Sequence, residues 1–357
     1  MSKSNKQKVI FWTTAIDNLY RGVGNIGGIA IQMGYWSKEF LSNSWKVYSL
    51  SQNSKKKVNN ITFLKLPDIR FIGIFIEMFL SLYYILAIRP NVIVVRGASR
   101  NISYLSLWCK LTGTKLVLFG ASNSDFIPGE EILPSNRDKK LYGSGLKRIN
   151  YIVAQNNEQK ELLLSNYGNK KCIVIPNIWP SNCNNRKEKD IDFLWVSNFR
   201  GLKRPEWFIK LAKENPQYSF TMIGAANEKI LYDKCQEEAK CVPNLSFLGG
   251  KSFDEVNLYF ARTRCFVCTS TMEGFPNTFL QAWSNNIPVL STFTPSGLVE
   301  KHNLGIIVKD YDDMNNQLNT ILEDDYYNKA RKSIQEYFTE AHNPKLMYDK
   351  LMQMISK

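Results

Sequence analysis

The chain has 357 residues, 44% of them hydrophobic and 22% charged, a balance that excludes a disordered or fibrous protein and leaves room for two domains of ordinary size. The net charge of +14 lies entirely in the first half: residues 1–178 hold 24 Lys and Arg against 10 Asp and Glu, and residues 179–357 hold 22 of each. Such a half suits nucleic acid, an anionic membrane surface or a phosphorylated substrate, or is a solvated charged face. Seven cysteines show no disulfide framework, and "MSKSNKQK" lacks the apolar core of a secretory signal. A cytoplasmic protein with reduced thiols is therefore expected.

In chain order, apolar runs predict strands at 9–13, 46–50, 61–65, 92–95, 115–119, 151–154 and 172–175, then at 192–196, 219–223, 245–248, 265–268, 287–290 and 305–308. Helical patterns separate most of them. Continuous apolar strands between helices are the mark of parallel sheets covered on both faces. The expected fold class is α/β, with two doubly wound Rossmann-like domains. A first domain over 1–178 and a second over 191–339 are expected, joined by the polar stretch 179–190, "WPSNCNNRKEKD". The last stretch reads as helix broken near "AHNP", with 340–357 able to pack back on the first domain.

"GVGNIGG" at 22–28 spells G-x-G-x-x-G through Gly22, Gly24 and Gly27. A dinucleotide fingerprint starts at the strand end and needs an acid at the end of the second strand. Here "TTAIDNLYR" intervenes and the second strand ends "YSLSQNS", so NAD and FAD are not expected. Gly27 and Gly28 retain the capacity to let an anion approach a helix start. The apolar stretch 71–88, "FIGIFIEMFLSLYYILAI", carries Glu77 and precedes Pro90. It reads as a buried, groove-lining or interfacial helix rather than a membrane span.

The most specific chemistry lies in the second half. In "STMEGFPNTFLQAW", 270–283, Glu273 and Gly274 follow a strand, and Phe275 and Pro276 lead into a helix. Free N–H groups near Asn277 and Thr278 suit a phosphate or a sugar hydroxyl, and Gln281 lies one turn on. In "LWVSNFRGLKRPEW", 194–207, Asn198, Arg200, Lys203 and Arg204 precede a helix opened by Pro205, a cationic setting for a diphosphate. Gly224 sits in a small-residue turn after a strand, and the turn at Phe247 and Leu248 offers backbone groups to a base. Cys265 and Cys268 fall within one apolar strand, which places them on opposite faces. "DID" at 190–192 imitates a metal-binding D-x-D, but Asp192 opens a buried strand. Two His and no clustered ligands argue against a protein metal site.

Together these pieces resemble the family-4 (group 1) retaining glycosyltransferases of the GT-B fold, whose two domains face each other across a cleft. The matching runs are "EGFPNTFLQAW", the Lys203 loop, "NLSFLGG", Gly27-Gly28 and "QNNEQKELLLSNYG…VIPN". Gln281 stands where the family has a second Glu, and Asn198 where it has an Arg, for which Arg200 substitutes. The resemblance implies transfer from a nucleotide sugar, a UDP-sugar first, to a saccharide or lipid-diphosphate-linked acceptor in cell-surface polysaccharide biosynthesis, without a cofactor or metal. It assigns Glu273, Lys203 and Arg200 to catalysis, and Gly27, Gly28, Asn198, Gly224, Phe247, Leu248, Gly274, Phe275, Pro276, Asn277, Thr278 and Gln281 to donor binding. Relatives carry a first-domain His near the sugar; both His of this chain, His302 and His342, lie in the second half, so Ser122 or Asp125 is expected there instead. With such an acceptor, the basic first half and the apolar stretch at 71–88 suit a peripheral place on the inner membrane face, which is an expectation. The alternatives are a nucleotide-sugar 2-epimerase of the same fold and a basic nucleic-acid-binding protein, although no recognition motif for the latter is present.

Overall fold

The computed structural model describes residues 6–21, 27–52, 57–66, 74–149, 151–181, 188–271 and 275–356. The chain divides into two units, Met1–Trp179 with Ala341–Lys357, and Pro180–Glu340.

The first unit holds strands β1 (Lys8–Phe11), β2 (Lys46–Ser51), β3 (Lys57–Val58), β4 (Ile61–Lys65), β5 (Val92–Arg96), β6 (Lys115–Phe119), β7 (Tyr151–Ala154) and β8 (Lys171–Val174). Their order in the sheet is β3-β4-β2-β1-β5-β6-β7-β8. All pairings are parallel except the short edge strand β3 on β4. Alternate residues of one strand enter opposite cores. Val9 and Phe11 pack with Trp36 and Phe40, whereas Ile10 packs with Leu105 and Tyr142. That two-sided burial is why the strands read as unbroken apolar runs.

The second unit holds β9 (Ile191–Val196), β10 (Phe220–Ile223), β11 (Leu245–Phe247), β12 (Thr263–Cys268), β13 (Val289–Ser291) and β14 (Gly305–Ile307). Their order is β11-β10-β9-β12-β13-β14, parallel throughout. This is the doubly wound 3-2-1-4-5-6 order, so the expected fold class holds.

The last helices span Asp324–Ala341 and Pro344–Ser356, broken at the expected place. The second of them belongs to the first unit. Met347, Tyr348 and Leu351 share a core with Phe40 and Trp45, and the Trp45 indole N–H donates to the Tyr348 hydroxyl at 2.8 Å. The return is pinned by a reciprocal pair: Trp179 N donates to His342 O at 2.9 Å, and His342 Nδ1 donates to Asn177 O at 2.7 Å. A carbonyl only accepts, so Nδ1 carries the proton. His342 is fully buried, and burial pushes its pKa down to about 4, so the ring is neutral.

The apolar stretch 71–88 yields the helix Ile74–Ile88, with 71–73 outside the described residues. Among the described residues no helix is long and apolar enough to cross a membrane.

Candidate functional site

In the second unit the sheet grows in opposite directions from β9 and β12, which makes their carboxyl ends the topological switch point, the place where open α/β sheets bind ligands. Both motifs singled out in the second half lie on those loops. Asn198, Arg200 and Lys203 follow β9, and Phe275 to Thr278 follow β12. Glu273 and Gly274 belong to the same β12 loop but lie outside the described residues.

The β9 loop is tied down from beneath. Phe199 is buried against the rings of Trp195, Tyr232 and Phe247, at centroid distances of 4.9 to 5.4 Å. A single turn of 3₁₀ helix, Gly201–Lys203, then leads through Arg204 into the helix Pro205–Glu214. Arg204 has φ +45°, a left-handed conformation rare outside glycine. It is held there by its own side chain. Nε donates to Thr269 O at 2.6 Å, Nη2 donates to the Thr292 hydroxyl at 2.8 Å, and the guanidinium lies 3.8 Å from the Trp207 ring centre. Thr269 completes the clamp, donating its hydroxyl to Lys203 O at 2.5 Å and accepting the Trp195 indole N–H at 3.0 Å. Thr271 N reaches Leu202 O at 2.9 Å.

Arg204 therefore joins the loops after β9, β12 and β13, and two of its N–H donors are committed to the scaffold. Of the other two cations on this loop, Arg200 is exposed and Lys203 is half-buried. Asn198 is exposed on the same loop. Gly201 N donates to Glu228 at 3.1 Å, an acid at the loop's edge that the sequence reading did not single out.

Pro276 occupies the N-cap of the helix Asn277–Ser284, one residue before the first turn expected for it. Phe275, Asn277 and Thr278 are half-buried at this helix start, and Phe279, Leu280 and Trp283 are buried beneath it. Gln281 does not share the exposure of Asn277. It is 5% exposed and its amide donates to Asn257 Oδ1 at 2.9 Å, on the helix Phe253–Arg262 packed alongside. A neighbouring helix covers this second turn, which the one-turn spacing could not show.

Gly224 has a packing reason for being glycine: a Cβ there would lie 1.8 Å from Ser197 O. Phe247 and Leu248 are half-buried where β11 ends, and Leu248 N donates to Met222 O at 2.9 Å. Asp190 pairs with Arg262, and Asp192 accepts from Arg264 at 3.0 Å, so the "DID" carboxylates close ion pairs at the amino ends of the strands. Cys265 and Cys268 are both buried in β12, and burial pushes the Cys265 thiol well up. Among the described residues no group of three or more His, Cys, Asp and Glu is placed to hold a metal ion.

The strand ends of the first unit are polar but self-satisfied. Gly22 and Gly24 lie outside the described residues, and the helix Ala15–Arg21 separates β1 from the glycine run. Asp17 of that helix is buried; it accepts from Ser51 Oγ and Arg21 Nε, each at 2.6 Å. Ser51 ends β2, where a dinucleotide site would carry its ribose-binding acid. Gly27 caps the helix Gly28–Ser42 with φ −84° and ψ 171°, and a Cβ built on it would meet no atom within 4 Å. Neither backbone nor packing demands glycine there.

The expectation that Asp125 contacts a sugar is corrected. It is 4% exposed and its carboxylate accepts the backbone N–H of Ala98, Ala121 and Ser122, at 3.3, 2.7 and 3.1 Å. Ser122 is half-buried and caps the same 3₁₀ turn through Ser124 N at 3.3 Å. Beside them Arg96 Nη2 and Gln155 Nε2 both donate to Asn177 Oδ1, at 2.7 and 2.8 Å, a network with no sequence motif to announce it.

Comparison with known proteins follows the same division. The family model for glycosyl transferases group 1 matches residues 180–340, the second unit. An uncharacterized glycosyltransferase of Methanocaldococcus jannaschii is 21% identical over 234 residues. The match covers 58% of this chain and 57% of the length of that relative. Among solved structures, a glycosyltransferase from Rickettsia africae ESF-5 superposes with a TM-score of 0.74 at 16% identity, covering 99% of this chain and 98% of that one. An E. coli trehalose-6-phosphate structure bound with UDP-2-fluoro glucose gives a TM-score of 0.69 at 11% identity over 98% and 99% of the two chains. At these identities the structural likeness shows the GT-B fold.

Proposed function

We propose that this chain is a retaining glycosyltransferase that moves a sugar from a nucleotide sugar, a UDP-sugar first, to a saccharide or lipid-diphosphate-linked acceptor in cell-surface polysaccharide synthesis. The observation that carries the reading is the switch point at β9 and β12, whose loops bear the cations and the helix start, inside the segment that matches glycosyl transferases group 1. The bound UDP-2-fluoro glucose of the E. coli neighbour supports the choice of donor.

The hard part of the reaction is the departing nucleoside diphosphate, on which negative charge develops. Lys203, Arg200 and the backbone N–H groups at Asn277 and Thr278 are the groups proposed to meet it, held in place before the reaction begins. The Arg204 clamp supplies that fixity. Glu273 and Gly274 are assigned to donor-sugar hydroxyls; Asn198, Gly224, Phe275 and Pro276 shape the pocket; Phe247 and Leu248 offer backbone to the base. Gly27 and Gly28 are the first unit's donor-binding groups, since the fold gives no other reason for glycine at 27. No metal is assigned, because the cations are the protein's own.

The isomerase alternative would use first-unit carboxylates near the sugar. Asp17 and Asp125 are buried and bonded within the scaffold, which disfavours it.

The experiment pairs a thermal-shift screen of UDP-, GDP-, ADP- and CMP-sugars with transfer assays of Glu273→Ala. A shift with one nucleotide class is expected, along with loss of transfer in a variant that melts within a few degrees of the parent. Full transfer by Glu273→Ala removes that residue from the site, and no shift with any nucleotide sugar overturns the reading.

A further inference from the structure

The helix Ile74–Ile88 is apolar on both its inner and its outer face. Its polar side chains turn inward. Glu77 is 6% exposed and meets Arg100 Nη2 at 3.3 Å; Ser81 is buried and donates to Met78 O at 2.7 Å; the Tyr84 hydroxyl donates to Lys65 O at 2.6 Å. Tyr84 and Ile85 are buried in the core beside them, with Met78, Leu80 and Ile88 packed against it, yet the outer face is apolar as well. Phe75, Ile76, Phe79, Tyr83 and Leu86 are each between 52% and 66% exposed. A helix facing water carries polar and charged side chains on that outer face. The patch continues on the neighbouring helix Ile102–Thr112 through Leu107 and Leu111, and the Trp108 indole N–H joins the two helices at Met78 O, 3.2 Å. Single exposed apolar residues need no explanation, but a contiguous face of this size does.

The charges around the face are one-sided. On these two helices and the adjoining Asn136–Leu146 the carboxylates are Glu77 and Asp138, both buried and both facing Arg100, at 3.3 and 3.9 Å. Lys110, Arg137 and Lys140 are exposed, as is Arg89 just past the first helix. Arg89 and Lys115 also line, with Leu86 and Leu111, a cavity of about 780 Å³ at the foot of the two helices. The first unit as a whole carries 27 Lys and Arg against 11 Asp and Glu, a net of +16.

We propose that this face is a membrane-docking surface, with the outward side chains of Ile74–Ile88 seated in an anionic bilayer and the surrounding cations on its headgroups. Apolar burial to about 5–10 Å at the headgroup boundary and attraction to anionic lipid are the two components such binding needs. A second copy of the chain fits less well, since two such faces brought together would oppose like charges. The proposal rests on the reading of the first unit as the acceptor side of a transferase working at a lipid surface, and it names the surface.

The test is co-sedimentation of the full chain with vesicles of phosphatidylcholine alone or mixed with phosphatidylglycerol, at low and high salt. The parent should pellet with the anionic vesicles at low salt, and less at high salt or with the neutral vesicles. Phe79→Asp should weaken vesicle binding about tenfold or more, with an unchanged melting temperature and an unchanged nucleotide-sugar shift. Phe79→Leu should bind as the parent does. Ile230→Asp, at a fully exposed position of the second unit, should also leave binding unaltered. A parent that stays in the supernatant at low salt overturns the proposal, as does a Phe79→Asp variant that pellets like the parent. Concentration-dependent dimerisation abolished by Phe79→Asp overturns it too, in favour of a second copy. Vesicle binding lost on Phe79→Asp in a chain that shows no nucleotide-sugar shift supports the surface and removes only the transferase reading.

Discussion

The two units share one architecture and treat their strand ends in opposite ways. In the first, the polar groups beyond the strands bind one another: Asp17 with Ser51 and Arg21, Asp125 with three backbone N–H groups, Arg96 and Gln155 with Asn177. In the second, Arg204 bridges three loops, and Arg200, exposed, and Lys203, half-buried, lie on the loop after β9 at the switch point. The net charges run the other way, +16 for the first unit and −2 for the second, which holds 19 Lys and Arg against 21 Asp and Glu. Net charge thus says little about where a diphosphate is held. In the second unit the proposed diphosphate site needs only two cations at a strand-end loop, whereas the first unit's excess includes cations on helix faces, where it suits a surface more than a small molecule.

Substitutions at the clamp sharpen this contrast most. Lys203→Ala should lower kcat by about 10²–10³ with little change in melting temperature, the cost of losing one preorganised charge at the leaving group. Arg204→Ala should lower both, destabilising the fold by roughly 1–3 kcal/mol, because it removes the donor to Thr269 O and the link to the Thr292 hydroxyl, which keeps its own bond to Ser270 O. If the two variants behave alike in denaturation and in turnover, the division between scaffold and site arginines fails.

The first unit should show its self-satisfied character as a pH effect. His342 is neutral in the fold, with a pKa of about 4 against 6.5 in the free side chain. The unfolded chain therefore takes up the proton first as pH falls. The contribution of this residue is fully present above pH 6.5 and is lost between 6.5 and about 4, amounting to roughly 3 kcal/mol. Denaturant titrations across that window should show the slope, and His342→Gln should flatten it.

The smallest effect on stability is expected at Gly27. Gly27→Ala should melt within about a degree of the parent, since its Cβ meets nothing, yet reduce transfer if a substrate approaches that backbone closely. Gly224→Ala should be destabilised outright by the contact with Ser197 O. Equal stability of the two variants would show that the two glycines are not distinguished by packing.

Much of the fold was legible because its signal is local. Short β-branched runs between helical patterns predicted nearly every strand to within a residue or two, and missed only the two-residue β3, too short to carry a pattern. The helix Ala15–Arg21 was passed over as spacer, although its presence is what displaces the glycine run from β1. Motif spacing placed Lys203 and Asn277 at the carboxyl ends of adjacent strands, as the topology has them. Spacing did not reveal which of three neighbouring cations is consumed by the scaffold, because Arg204 is fixed by Thr269 and Thr292, 65 and 88 residues away.

By itself the sequence determined the alternation of elements, the two parallel sheets and the loops that carry the chemistry, since hydrophobic period and turn residues act over a few positions. Only the tertiary structure decided what each polar side chain does there. Asp125 is a brace, Gln281 is a tie between helices, His342 returns from the end of the chain to the first unit, and the helix Ile74–Ile88 turns its charge inward and its aromatic rings out. Burial and hydrogen-bond partners are set by segments far apart in the chain, and they decide whether a residue faces a substrate, a membrane or its own backbone.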